Sequence, residues 1–309
     1  MQTLDIVTSA KNESANLTHL IESITEVLKG EEYSWRVIIS ENASTDNTWE
    51  VISTLVEEHE NIVGLRMSKD FGFEGAITAA LEYSNSDVVV MMASDLQDGP
   101  EHLTTFLRMY EQGYDHVFQI VNSRPGVSKI RNWNSALFYW FAEKFSNGLI
   151  ERNSSTYRLI TREVRESLLK LDERNRFIRA LVNWLGFKSI GIAFPRKARI
   201  QGKSKAKSRH VFSYAMKGIL ANSYSLLNFV GLFGLITSGI AFITTLIFSI
   251  IWIVHGVPFA GFGILVGSIF LGFGLVFLCL GIIAQYLSLV YEEIKGRPNF
   301  IIREVRGMK

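Results

Sequence analysis

The sequence predicts an α/β fold, a mostly parallel sheet covered by helices on both faces, joined to a two-helix hairpin of membrane character. Three observations carry that expectation. Strand-like and helix-like patterns alternate through the first half of the chain, as βαβ repetition requires. Between Lys217 and Glu292 there is no Asp, Glu, Lys or Arg. The 309 residues are 48% hydrophobic with a mean hydropathy of +0.17, too apolar for an ordinary soluble domain.

The alternating half runs as follows. "LDIVTSA" reads as a strand, and Asn16 to Leu28 as a helix with Leu17, Leu20, Ile21, Ile24 and Leu28 on one face. "WRVIIS" is a second strand, followed by a helix that Asp46 caps and that runs to about Glu58. "NIVGLRM", a helix from about Glu74, and "DVVVMM" continue the pattern. Sheets of this kind bind ligands beyond the carboxyl ends of their strands. Those ends are "SAKNE", "SENASTD", "SKDFGFEG" and "ASDLQDGPE", all rich in polar and small residues. In the last, an apolar run breaks into Asp95, Gln97, Asp98 and Glu101 around Gly99 and Pro100. An unpaired buried carboxylate is costly, so this cluster is expected to open onto a cation or polar ligand.

The charge-free window is too long for one membrane crossing, which takes about 20 apolar residues. It divides at "HGVP", His255 to Pro258, into helices at 226–254 and 259–289. The expected organisation is a soluble domain at 1–207, an interfacial amphipathic helix at 208–225, a transmembrane hairpin at 226–291 and a tail at 292–309. Val211, Phe212, Ala215, Met216 and Ile219 form the apolar face of the interfacial helix, flanked by Arg209 and Lys217. Periodicity alone suits a helix docked on protein equally well. Lys203, Lys205, Lys207, Arg209 and Lys217 precede the hairpin; Lys295, Arg297, Arg303, Arg306 and Lys309 follow it. The turn carries no basic residue, so the positive-inside rule puts both termini in the cytoplasm, with the chain multi-pass in the plasma membrane. Gly263 and Gly267 have the spacing of close helix packing, within one chain or between copies in a homo-oligomer; ordinary glycine enrichment in membrane helices accounts for them as well.

Other classes fall away. A net charge of +2 gives no reason to expect nucleic acid as a partner, and a single cysteine, Cys279, leaves no disulfide framework or cysteine metal site. Asp5, Lys11 and Glu13 interrupt any signal-peptide core. Neither GxGxxG nor GxxxxGK[ST] follows any strand, and "GFGILVG" at Gly261 lies in the apolar window. What remains is acids without a glycine cradle: Glu13, Glu41, Asp46, Asp95 and Asp98. An acid after a strand holds Mg²⁺ or Mn²⁺ through one or two carboxylates, with substrate phosphates completing the octahedron. Farther on, Arg124, Arg131, Arg158, Arg199, Lys203 and Lys205 gather as candidates to hold a second phosphate group.

Several motifs then lie in order. "VTSAKNESANL" resembles V-x-P-x-x-N-E-x-x-N-L, with Ser9 at the proline, and "SENASTDNT" resembles VDDGSTDGT, with Glu41 and Asn42 at the Asp pair. "SKDFGFEGAITAAL" is similar to N-F-G-K-x-x-A, "ASDLQDGPE" to DADLQDPPE, "STYRLITREV" to GDFRLxxRxV, and "RIQGKSK" to R-x-x-G-x-S-K. With the tail "VYEEIKGRPNFIIRE", the chain from about Leu4 to Glu304 resembles family 2 glycosyltransferases of the polyprenyl-phosphate type, akin to dolichol-phosphate mannose synthase and bacterial GtrB-like enzymes. The resemblance implies a GT-A (Rossmann-like) domain, a UDP- or GDP-sugar donor, a polyprenyl (undecaprenyl) phosphate acceptor and Mg²⁺ or Mn²⁺. It would place Asn12, Glu13 and Glu41 at the nucleotide and Asp95 and Gln97 at the metal. Arg124, Arg131, Arg199, Ser204 and Lys205 would meet donor or acceptor phosphates, with transfer depending most on Asp95, Arg124 and Arg199. Two positions depart from the family pattern: Ala93 stands at the first acid of DxD, and Thr156 at the acid of GDFRL. Those departures are what a second reading, a catalytically silent nucleotide-sugar-binding membrane scaffold, would rest on. QxxRW, expected of a processive polysaccharide synthase, is absent.

Overall fold

The computed structural model describes residues 1–121, 149, 151, 153–195, 225–255 and 262–307. Arg124, Arg131, Arg199, Ser204 and Lys205 lie outside them, as does all but the last residue of the expected interfacial helix. The described elements run β1 (Gln2–Ala10), α1 (Ser14–Leu28), β2 (Tyr33–Glu41), α2 (Thr48–Glu58), β3 (Ile62–Met67), α3 (Gly72–Tyr83) and β4 (Val88–Ala93). They continue with α4 (Leu103–Glu111), β5 (His116–Val121), β6 (Ser154–Thr161), α5 (Arg162–Leu169), α6 (Ile178–Trp184), β7 (Ser189–Phe194), α7 (Ser225–His255), α8 (Phe262–Lys295) and β8 (Ile302–Arg306).

The strands form one sheet in the order β7-β5-β6-β4-β1-β2-β3-β8. It is mixed rather than mostly parallel. The block β4-β1-β2-β3 is parallel, as the alternation predicts, and so is β5-β7. β6 runs antiparallel to both β4 and β5, and β8 antiparallel to β3. Helix patterns between strands imply parallel crossovers, but the helix before β8 is the long apolar α8, and β8 returns antiparallel to β3. One core lies under α1, α2 and α4, the other under α3, α5 and α6. In α1 the buried side chains are Leu17, Leu20, Ile21, Ile24 and Leu28 with Asn16, the stripe that its 3.6-residue period predicts. The starts of helices differ slightly from the expected ones for local reasons. Asn47 takes the N-cap of α2, and Asp46 instead accepts the Thr48 N–H at 3.1 Å. α3 begins at Gly72, whose N–H donates to Asp70 at 2.9 Å.

α7 and α8 span 31 and 34 residues and pack against each other. Phe242, Phe270 and Phe277 stand exposed on them. Among the described residues one helix is long and apolar enough to cross a membrane, Ser268–Lys295, with a window of mean hydropathy 2.2 and none of it buried. α7 contributes a shorter apolar run, Val230–Thr244.

The segment after α8 returns to the sheet. Gly296, with φ of 60°, ends the helix, and the chain then pairs along β3. Ser68 N–H donates to the Ile301 carbonyl at 2.9 Å, and Phe300, Ile302 and Val305 pack on the core under α3. The helix end itself is held: the Glu293 carboxylate accepts the backbone N–H groups of Arg174 and Asn175 at 2.9 Å each.

Candidate active site

β1 lies between β2 and β4, and the register pairs Ala10 with Glu41 and Ser9 with Ala93. The loops after β1, β2 and β4 therefore emerge side by side at one sheet edge. Each contains a non-glycine residue at positive φ: Asn12 at 55°, Ala43 at 51° and Leu96 at 60°. Such backbone is uncommon and tends to cluster at functional sites.

The first two loops are tied to each other. Asn12 N–H donates to Ser44 Oγ at 3.0 Å, while Asn12 Oδ1 accepts the Thr45 N–H at 2.7 Å. Glu13 N–H donates to Thr48 Oγ1 at 3.0 Å, and the Glu13 carboxylate accepts from the Asn16 side chain. Glu41 is 2% exposed. One of its oxygens accepts the Ser44 N–H and the other lies 3.8 Å from Arg66 Nε. Asn42 is equally enclosed: it accepts the Phe71 N–H at 2.9 Å and donates to Asp70 at 2.8 Å and to the Gly72 carbonyl at 3.1 Å. Asp70 also pairs with Lys11. Burial alone would raise the Asp70 carboxyl, but Lys11, the Gly72 N–H and the Asn42 amide outweigh it and hold it below the ordinary range.

At the end of β4 the acids divide their tasks. Asp98, 1% exposed, accepts the Ala93 N–H at 3.2 Å and the Ser155 hydroxyl at 3.3 Å, closing the turn back on its strand and onto β6. Asp95, 7% exposed, accepts the Gln97 N–H at 3.2 Å in a local turn. Among the described residues no cluster of three His, Cys, Asp or Glu could hold a metal unaided. A carboxylate and a neighbouring amide are nevertheless hard oxygen donors that suit Mg²⁺ or Mn²⁺ once phosphate oxygens and water complete the shell. Asp95 and Gln97 therefore fit the metal that the sequence suggests, as a partial site.

The two departures from the family pattern are neighbours. β4 and β6 pair through Met91 and Arg158, and the same register carried two residues on brings Ala93 opposite Thr156. Thr156 lines a small cleft with Phe73, Glu74, Met91, Arg158 and Arg179. Arg158 does not join a surface basic patch. It is among the largest fully buried side chains, and it donates to the Ser155 carbonyl at 2.9 Å. Asp46, a candidate acid in the sequence, bonds Thr48 and Ser14 and serves the start of α2. The sequence reading passed over Lys11, Asp70 and Asn42 as a connected set, and over Arg66 beside Glu41.

Comparisons with known proteins establish the family. Residues 5–169 match the family model for glycosyl transferase family 2. An uncharacterized glycosyltransferase of Synechocystis sp. is 30% identical over 309 residues, 99% of this chain and 96% of that protein. A prophage-derived bactoprenol glucosyl transferase of Shigella flexneri is 28% identical over 302 residues, 97% of each chain. Among solved structures, glucosyl-3-phosphoglycerate synthase from Mycobacterium tuberculosis, in complex with Mn²⁺, UDP-glucose and phosphoglyceric acid, aligns at 17% identity with a TM-score of 0.47, over 71% of this chain and 78% of that one. With a central parallel block, polar loops at its carboxyl edge and a family match covering more than half its length, the chain belongs to glycosyl transferase family 2 and is a glycosyltransferase with a GT-A sheet.

Proposed function

We propose that the protein transfers a single sugar from a UDP- or GDP-sugar to polyprenyl phosphate at the cytoplasmic membrane face, with inversion at the anomeric carbon. The similarity to bactoprenol glucosyl transferases over 97% of each chain, apolar helices included, carries this reading. Two features of the fold support it. The exposed apolar side chains of α7 and α8 suit lipid as their solvent, and the two helix lengths suit a hairpin. The span Ser268–Lys295 ends where Glu293 is bonded to the sheet domain, which keeps the polar strand edge and the helix end on one body. The basic flanks then orient both termini to the cytoplasm.

The chemistry asks little of a base. A phosphate monoester has a second pKa of about 6, so the acceptor arrives largely as an anion at neutral pH. Its oxygen attacks the anomeric carbon opposite the departing nucleoside diphosphate, and the protein's task is alignment and support of the leaving group. Asp95 and Gln97 would hold Mg²⁺ or Mn²⁺, which neutralises developing diphosphate charge when bound. Asn12, Glu13 and the loop at 42–47 shape the nucleoside side. Arg124, Arg131, Arg199, Ser204 and Lys205 supply cationic and hydroxyl donors to phosphate. Without acids at Ala93 and Thr156, Asp95 would be the one carboxylate of this motif to hold the metal.

The test is incubation of the protein with undecaprenyl phosphate and a panel of nucleotide sugars, followed by organic extraction. One donor should give a lipid-linked sugar that mild acid releases. Nucleotide binding with no lipid product from any donor would overturn the transfer reading and favour a silent binder.

A further inference from the structure

We propose that the strand following the apolar helix is a positioning element of the donor site: Glu304 and Arg306 of β8, acting through Arg66 of β3, hold Glu41 and with it the loop at 42–47. The proposal rests on the reading above, in which that loop receives the nucleoside.

The path is continuous. β8 pairs with β3 so that Glu304 stands opposite Arg66, and β3 pairs with β2 so that Arg66 stands opposite Glu41. Arg66 lies between two carboxylates, 3.8 Å from Glu41 and 3.9 Å from Glu304. Glu41 accepts the Ser44 N–H, and Ser44 Oγ accepts the Asn12 N–H at 3.0 Å, so the contact line ends in the two loops at the site's edge. At its other end the line reaches α8, whose Glu293 grips residues 174 and 175, while Asn299 donates to the Glu173 carbonyl at 3.2 Å.

Charge gives the line its direction. The guanidinium groups of Arg66 and Arg306 both lie over the Trp49 ring, at 5.3 and 5.4 Å from its centroid. Two cations on one ring repel, and the group that reconciles them is Glu304, which accepts from Arg306 Nε at 2.7 Å and approaches Arg66 from the same strand. Neutralising Glu304 leaves the repulsion uncompensated. Arg66 is one-third exposed and can swing towards solvent. Glu41 cannot follow, being buried, and loses its cation. The Ser44 turn, already at an unfavourable φ in Ala43, then depends on a buried carboxylate without its counter-charge and is held less firmly. Glu304 and Arg306 reach the loop only through Arg66 and Glu41, so the expected effect falls on donor affinity and not on the chemical step.

The experiment uses the full chain in detergent and compares wild type, Glu304→Gln, Arg66→Gln and the double variant Glu304→Gln/Arg306→Gln. UDP and GDP affinities are measured by calorimetry with Mn²⁺ present, and Ser44 amide exchange is followed without nucleotide. Glu304→Gln should weaken the bound nucleotide about fivefold, with kcat for transfer within about twofold, and Arg66→Gln about tenfold. The double variant removes the second cation along with the carboxylate, so affinity and Ser44 protection should return towards wild type. A purely architectural tail would make the double variant worse than the single. That result, or equal Ser44 exchange in wild type and Glu304→Gln, overturns the coupling. If Ser44 exchange follows the predicted order but wild type binds neither nucleotide, the coupling stands as a loop contact and the donor reading fails.

Discussion

The loops that flank β1 at the active edge, after β2 and after β4, share a plan and differ in what they leave available. Each follows a buried strand, each turns through a non-glycine residue at positive φ, and each carries two polar side chains where the motif has acids. After β2 both are absorbed by the fold: Glu41 holds Ser44 and Arg66, and Asn42 holds the start of α3. After β4 Asp98 is bonded to the Ala93 N–H and the Ser155 hydroxyl, which ties the loop to β4 and β6. Asp95 accepts the Gln97 N–H in a local turn and is slightly more exposed, at 7% against 1% for Asp98. Two acids of one motif thus take different places in the fold: Asp98 ties the loop to β4 and β6, and Asp95 turns within it.

The sharpest way to break that comparison is to exchange the roles. Asp95→Asn should lower transfer by about 100-fold or more, the loss expected when one preorganised group that supports developing charge is removed. It should also abolish the gain in nucleotide affinity that Mn²⁺ gives the wild type. Equal Mn²⁺ dependence in both proteins would remove Asp95 from the metal. A contrasting variant at the far end of the same strands should act on stability alone. Asp5 is buried and pairs with Arg36 in a two-point contact at 2.9 Å for each bond. Arg36→Met strands that carboxylate and should cost about 2–3 kcal/mol, moderated because the guanidinium is itself partly exposed. Urea unfolding in detergent measures the cost, and kcat of the surviving folded protein should be unchanged.

Asp98→Ala tests the architectural half of the comparison. It leaves the Ala93 N–H and the Ser155 hydroxyl without that acceptor and should destabilise by about 1–2 kcal/mol, while Asp98→Asn, which keeps one acceptor oxygen, should cost less. The expected signature is lost stability with Mn²⁺-dependent nucleotide binding retained. If Asp98→Asn instead removes the metal effect and leaves stability intact, the assignment of the two acids is reversed.

How much of this was legible follows from the range of each signal. The central parallel block was, because period and polar strand ends are local properties; the stripe in α1 and the run at Val88–Ala93 needed no partner to be read. β6 and β8 were not, since their direction is set by strands far away in the chain. "IIREVR" does not alternate apolar with polar residues, so no local period marks β8 as a strand. In the site, the loop compositions pointed to one sheet edge and the motif resemblance put Asp95 rather than Asp98 at the metal, but neither shows that Asp98 bonds the Ala93 N–H and the distant Ser155 hydroxyl. The set Lys11, Asn42 and Asp70 joins residues up to 59 positions apart, so only the register brings it together. Arg158 was taken for a phosphate candidate because a sequence reports its charge and not its burial.

The smallest effect concerns burial without partners, the condition both loops avoid. His116 lies 1% exposed on β5, stacked on Phe118, and among the described residues neither ring nitrogen has a hydrogen-bond partner. Burial holds its imidazole well below the ordinary value, and the nearby Arg158 guanidinium pushes it the same way. The folded state therefore keeps His116 neutral where the unfolded chain accepts a proton at a pKa of about 6.5. Its contribution is undiminished above that value and is lost as pH falls, by about 0.7 kcal/mol between about pH 7 and 6 and more steeply below. His116→Leu fills a similar volume with no polar atom, so it should leave stability at about pH 8 unchanged or slightly raised and remove this share of the acid sensitivity. Subtracting the two unfolding curves isolates the residue from every other titrating group. Parallel curves from about pH 8 to 5 would mean that His116 takes up its proton in the folded protein after all, through a partner or a water that reaches β5.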